Sequence, residues 1–141
     1  MHATLRRTAD EGRIRWVFRD SPLTSIHRLS FKEAEAAWCA GEQGKFWDYA
    51  DALYAAQDQI NKTQGFDQQL YTVAEGVGAD PVALKACLDS GRSTETIKSR
   101  MGEAESLQID GTPTLFINGK RHEGLVSYDL LEKLVANLSH N

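Results

Sequence analysis

The 141-residue sequence predicts an α/β fold with a long helical insertion, on the strength of three observations. Near the start, Ile14-Arg15-Trp16-Val17-Phe18-Arg19 is dense in β-branched and aromatic residues and reads as a strand. From about Ser30 to Leu107 the apolar residues recur almost entirely at helical spacings. After Ile109-Asp110-Gly111 the pattern changes again, to a hairpin turning at Asn118-Gly119 and then one more helix.

Each element has a local reason. A short first helix is expected from about Ala3 to Asp10, with Gly12 suited to the left-handed position that closes a helix. The strand that follows is ended by Asp20-Ser21-Pro22, because proline brings no ladder donor and restricts the residue before it. In the helical block, Phe31, Ala34, Ala37 and Trp38 share one face of a helix ending near Gly41, and Phe46, Tyr49, Leu53 and Ala56 form the stripe of a helix from Lys45 to Gln57. A third helix runs from Phe66 to Glu75. Asp80-Pro81 starts a fourth, with Asp80 as N-cap and Pro81 in the first turn; it carries Leu84 and Leu88 and stops at Gly91. Ser93 or Thr94 is expected to cap a longer helix bearing Ile97, Met101, Ala104 and Leu107, which Gly102 weakens by roughly 1 kcal/mol. Thr112 to Ile117 and Lys120 to about Gly124 form the hairpin. Ser127 caps a last helix whose Leu130, Leu131, Leu134, Val135 and Leu138 make one apolar face.

Composition narrows the function classes. With 16 basic and 20 acidic side chains the net charge is −4, which offers no basic footprint for nucleic acid. No apolar run approaches the roughly 20 residues of a membrane span. The basic start of the chain is followed by no apolar stretch and does not read as a signal peptide. Two cysteines, Cys39 and Cys87, are too few for a disulfide scaffold or a four-cysteine zinc site. They admit one bridge or two buried thiols.

Four segments, in order, resemble the DsbA-like family of thiol–disulfide oxidoreductases. Trp16-Val17-Phe18-Arg19-Asp20-Ser21-Pro22-Leu23 looks like the family's second strand and its exit. Ala36-Ala37-Trp38-Cys39-Ala40-Gly41-Glu42-Gln43-Gly44-Lys45-Phe46-Trp47 is similar to its helical-insert motif, and Ala86-Cys87-Leu88-Asp89-Ser90-Gly91 to a second helical marker. Gly111-Thr112-Pro113-Thr114-Leu115-Phe116-Ile117-Asn118-Gly119 resembles the cis-proline loop and its hairpin. The resemblance covers essentially the whole chain. It implies one thioredoxin-like α/β domain over 1–141, with the helical insert at about 30–107 and the cis-proline hairpin and final helix at 111–139. It also implies that Gly111, Thr112 and Pro113 form a loop whose backbone pairs with an extended peptide or thiol protein. Proline is the one residue for which a cis peptide bond is cheap, so Thr112-Pro113 is a plausible site for one.

The departure from the family lies in the catalytic segment. Family chemistry uses a Cys-x-x-Cys at the N-terminus of the first helix, where the helix dipole and free N–H groups favour a thiolate. This sequence contains no Cys-x-x-Cys, and its opening residues look like the tail of that helix, so the first strand and the active-site turn are expected to be absent. No catalytic residue is assigned. The missing strand would leave Ile14–Arg19 and Thr114–Ile117 each without a neighbour, so self-association through strand edges, giving a homodimer, is expected.

The family also implies a bridge between cysteines placed like Cys39 and Cys87. They stand 48 positions apart, a loop worth roughly 4 kcal/mol in the chain-entropy model. Helix interiors do not depress a thiol pKa as an N-terminus does, so a structural bridge is expected rather than a catalytic pair. His2, His27, His122 and His140 show no ligand spacing, and no metal or other cofactor is expected. Trp16, Trp38 and Trp47 read as core-edge aromatics. The expected function is that of a DsbA-like protein impaired by the absence of its cysteine pair. One rival is a non-enzymatic binding or assembly module; a weaker one is a relative of the glutathione-linked transferases and isomerases. The resemblance points to the periplasm or cell exterior, whereas the visible N-terminus shows no export signal.

Overall fold

The structure, a computed structural model, describes residues 2–60 and 65–138, with the side chains of residues 2, 3 and 138 outside that description. His140 therefore lies outside it, as do the side chains of His2 and Leu138. The elements run α1 (His2–Asp10), α2 (Ser30–Glu42), α3 (Phe46–Ile60), α4 (Phe66–Gly76), α5 (Pro81–Asp89), α6 (Arg92–Ser106), β1 (Thr114–Ile117), β2 (Lys120–Glu123) and α7 (Tyr128–Leu138). They divide between two compact units, one of Met1–Arg19 with Ala104–Asn141 and the other of Asp20–Glu103.

The 20–103 unit is helical and is organised around α2. This helix packs against α3, α4 and α5, so its buried arc is wider than a single apolar stripe. Ala36, Ala37, Cys39 and Ala40 are buried, and so is Glu35. The sequence points instead to Phe31, Ala34, Ala37 and Trp38 as the core face, but Phe31, Ala34 and Trp38 are only partly covered. Small side chains on α2 let three helices approach one, and the bulk is supplied by Tyr49, Leu53, Ile60, Leu70, Leu84 and Leu88. Full burial of any one of these large apolar side chains contributes about 1.5–3 kcal/mol. Tyr49 also satisfies its hydroxyl by donating to the Leu70 carbonyl at 3.0 Å.

Helix starts in this unit follow side-chain chemistry. Asp80 caps α5, its carboxylate accepting from the Val82 N–H at 2.8 Å, with Pro81 in the first turn. The expectation that Ser93 or Thr94 caps α6 is corrected: the helix begins at Arg92, whose N–H reaches Ser90 Oγ at 3.3 Å. Thr94 donates its hydroxyl to the buried Glu35 carboxylate, and Ser93 Oγ is buried with no partner among the described residues.

The other unit holds α1, the 14–19 segment, the hairpin and α7. Leu5, Val126, Leu131 and Val135 form its core, with Ile14, Trp16, Leu115 and Leu134 packed against them. Ser127 Oγ accepts from the Leu130 N–H at 3.3 Å and so caps α7. Arg7 on α1 reaches Glu132 on α7 at 3.1 Å. The strand expected at Ile14–Arg19 is a correction: among the described residues the sheet contains β1 and β2 alone. Exposure still alternates residue by residue from Ile14 to Arg19, as in a strand. A strand, however, is defined by a hydrogen-bonded neighbour, and neither β1 nor β2 forms a ladder with this segment.

Candidate functional site

The loop that carries Gly111, Thr112 and Pro113 is held at both ends. On its N-terminal side α6 ends in a left-handed turn at Gln108 (φ 53°), with Gln108 N–H bonded to Glu105 C=O at 2.9 Å and Ile109 N–H to Ala104 C=O at 3.0 Å. The last exposed carbonyls of that turn are taken by one guanidinium: Arg121 on β2 donates to Leu107 at 2.9 Å and to Gln108 at 2.7 Å. Arg121 also meets Glu123 at 2.8 Å. One side chain thus ties the hairpin to the helix that precedes the loop.

On the C-terminal side the loop runs directly into β1. The Thr112–Pro113 peptide bond is cis. Thr114 Oγ1 donates to the Gly111 carbonyl at 2.7 Å, folding the loop over the bond, and Gly124 N–H donates to the Pro113 carbonyl at 2.9 Å. Thr114 pairs with Glu123, Leu115 with His122, Phe116 with Arg121 and Ile117 with Lys120. Asn118 and Gly119 both have positive φ, 47° and 80°, as a two-residue hairpin turn of this hand requires. Leu115 anchors the strand in the unit's core, while Gly111 and Thr112 are exposed.

Cys39 on α2 and Cys87 on α5, both in the helical unit, are joined in a disulfide with their Cα atoms 5.8 Å apart. Their exposures are 1% and 5%. No free cysteine remains. The structure therefore brings Gly111, Thr112 and Pro113 together in one loop, and Cys39 and Cys87 together in one bridge within a different unit.

A second polar feature of the helical unit is titratable. The Glu33 carboxyl is held above the usual glutamate range because burial disfavours its charge, with nearby His27 acting in the opposite direction. Burial pushes the Tyr49 phenol up, reinforced by Glu33 and Tyr71. Asp20, buried, is paired with Arg100. Among the described residues no three His, Cys, Asp or Glu side chains are grouped to hold a metal ion, and no helix is long and apolar enough to cross a membrane.

Arg121 and Glu35 are residues that the sequence does not single out for these roles. Arg121 is one of 16 basic residues, and nothing local marks it as the cap of a helix 13 and 14 positions upstream.

The family profile described as Thioredoxin matches residues 1–137. Similar curated proteins include a Na(+)/H(+) antiporter NhaA 3 of Salinispora tropica, 34% identical over 126 residues that make up 89% of this chain and 19% of that protein. A Na(+)/H(+) antiporter NhaA 1 of Salinispora arenicola is 34% identical over 128 residues, 91% of this chain and 19% of its own length. A Na(+)/H(+) antiporter NhaA of Nitrosospira multiformis is 26% identical over 136 residues, 92% and 20% respectively. The chain spans about a fifth of the length of these relatives. No solved structure matches it.

Proposed function

The chain belongs to the thioredoxin family, and from that premise we propose that it is a DsbA-like member whose own two cysteines are structural, leaving it impaired as an oxidoreductase. The fold is thioredoxin-like α/β with a helical insertion, and the family is of a general thiol–disulfide oxidoreductase-like kind. The observation that carries the proposal is the Cys39–Cys87 bridge: both cysteines of the sequence are in it, and both are at least 95% buried. Thiol–disulfide exchange needs a thiolate to approach a sulfur in line with the bond being broken. A bridge enclosed between α2 and α5 offers no such approach. The sulfurs also lie within the helices rather than at an N-terminus that would stabilise a thiolate.

The cis-proline loop is the part of the machinery this chain retains in the reading. Gly111 and Thr112 are exposed, the loop is anchored by Arg121 and Thr114, and its backbone is the element we assign to an extended peptide or a thiol-bearing partner. That exposure is also what favours the second reading, a non-enzymatic binding module. Ion transport is not proposed for this stretch, since the antiporter name belongs to relatives of which it spans 19–20%.

The test is an exchange assay on the purified chain: reduction of insulin by dithiothreitol, followed by turbidity. The chain is expected to leave the uncatalysed rate unchanged. Acceleration that disappears in a Cys39→Ala, Cys87→Ala double variant would overturn the proposal.

A further inference from the structure

β1 hydrogen-bonds to β2, and among the described residues their sheet has two strands. In an antiparallel ladder, successive residues direct their backbone groups alternately toward and away from the partner strand. The two-residue turn at Asn118-Gly119 makes Ile117 and Lys120 the first hydrogen-bonded pair. Leu115 with His122 is the next, and the Gly124-to-Pro113 bond at 2.9 Å continues the parity. It follows that Thr114 and Phe116 present their N–H and C=O groups to the outer edge of β1. Pro113 belongs to the inward set, so its missing N–H takes nothing from that edge.

This edge lacks the features that deter strand pairing. Residues 111–119, Gly-Thr-Pro-Thr-Leu-Phe-Ile-Asn-Gly, contain no charged side chain. Phe116 stands 45% exposed on the face opposite Leu115.

We propose that the outer edge of β1 is a self-complementary interface at which two copies of this chain pair antiparallel about a two-fold axis at Leu115. In that register Thr114 of one copy lies opposite Phe116 of the second. Thr114 N–H donates to Phe116 C=O, Phe116 N–H donates to Thr114 C=O, and symmetry repeats both bonds. The edge is matched by its own copy because outward donors and acceptors fall opposite each other without an offset, and no like charges meet. Each exposed Phe116 ring gains a threonine neighbour directly across and a second Phe116 on the diagonal. Both copies keep Leu115 and Ile117 on one face, so the two cores lie side by side on that face of one continuous four-stranded sheet. The contact is isologous and closes on itself. It is also small, so the dimer forms with rising concentration rather than permanently.

The experiment measures mass by sedimentation equilibrium and amide hydrogen exchange by NMR on the same chain, between about 10 µM and about 1 mM. The expected result is a monomer–dimer equilibrium in which the amides of Thr114 and Phe116 gain protection with concentration. Those of Leu115 and Ile117, bonded to β2 at every concentration, stay protected throughout. Phe116→Lys, placed on an exposed face that the monomer tolerates, is expected to raise the dimer dissociation constant about tenfold or more. Three results would each overturn the proposal. These are a monomer across the whole range, a dimer whose Thr114 and Phe116 amides exchange as fast as in the monomer, and concentration-independent protection of those two amides by another segment of the same chain. The exchange data decide the matter even where the lysine variant misfolds.

Discussion

Gln43 and Asp80 are joined by two hydrogen bonds running in opposite directions: the Gln43 side-chain amide donates to the Asp80 carbonyl at 3.1 Å, and the Asp80 N–H donates to Gln43 Oε1 at 2.7 Å. Gln43 is the residue that terminates α2, and Asp80 is the cap that starts α5. The same two helices carry the disulfide, so a covalent bond and an amide clamp fix one helix pair.

Removing the clamp leaves the Asp80 N–H without its partner at a helix start, while the Asp80 carbonyl keeps its bond from the Leu84 N–H at 3.0 Å. Gln43→Ala is expected to cost about 1–2 kcal/mol, which lowers Tm by about 3–8 °C in a chain of this size. Gln43→Glu keeps the acceptor and loses the donor, so its loss is expected to be smaller. Thermal unfolding followed by circular dichroism checks both.

Much of the fold is legible in the sequence where its cause is local. The Asn118-Gly119 turn, the Asp80 cap with Pro81 and the Ser127 cap each depend on residues within a few positions, and all three form as expected. Glu35 in the core of α2 is not legible, because its partner Thr94 is 59 positions away. Gln43 and Arg121 are hidden for the same reason. The 14–19 segment fails differently: its residue types favour a strand, but a strand also requires a neighbour, and propensity says nothing about whether one is supplied. The cysteine bridge is visible only through resemblance, since spacing alone admits two free thiols as well.

Glu33 sets a pH dependence whose sign follows from its environment. Its carboxyl is raised above the ordinary value of 4.5, chiefly by burial, so the folded chain holds the proton more tightly than the unfolded chain does. The resulting stabilisation is complete below that ordinary value and is lost as pH rises through the raised one. Glu33→Gln, neutral at every pH, is therefore expected to match the unmodified protein near pH 4 and to gain on it progressively toward pH 7. Paired Tm measurements across that range at constant ionic strength test this, and a gap that stays constant with pH would contradict it.

Arg121 is expected to position the cis-proline loop through the end of α6. Arg121→Met keeps the apolar stem and loses the bonds to Leu107 and Gln108, at a cost of about 1–3 kcal/mol in urea unfolding. Arg121→Lys is expected to recover only part of that loss, because a single ammonium does not reproduce a fork spanning two carbonyls. Amide exchange in 109–112 is expected to speed up in the methionine variant while exchange in α2 and α5 is unchanged.

The central claim is that Cys39–Cys87 holds α2 to α5 and takes no part in exchange. Its most direct test is the redox state of the two cysteines, read by alkylation and intact mass after equilibration in glutathione buffers spanning reducing to oxidising ratios. The bridge is expected to remain closed across the whole series and to open only when the chain is unfolded. A bridge that opens and recloses reversibly in the folded protein near the glutathione potential would contradict the account and make the helical unit a redox centre in its own right.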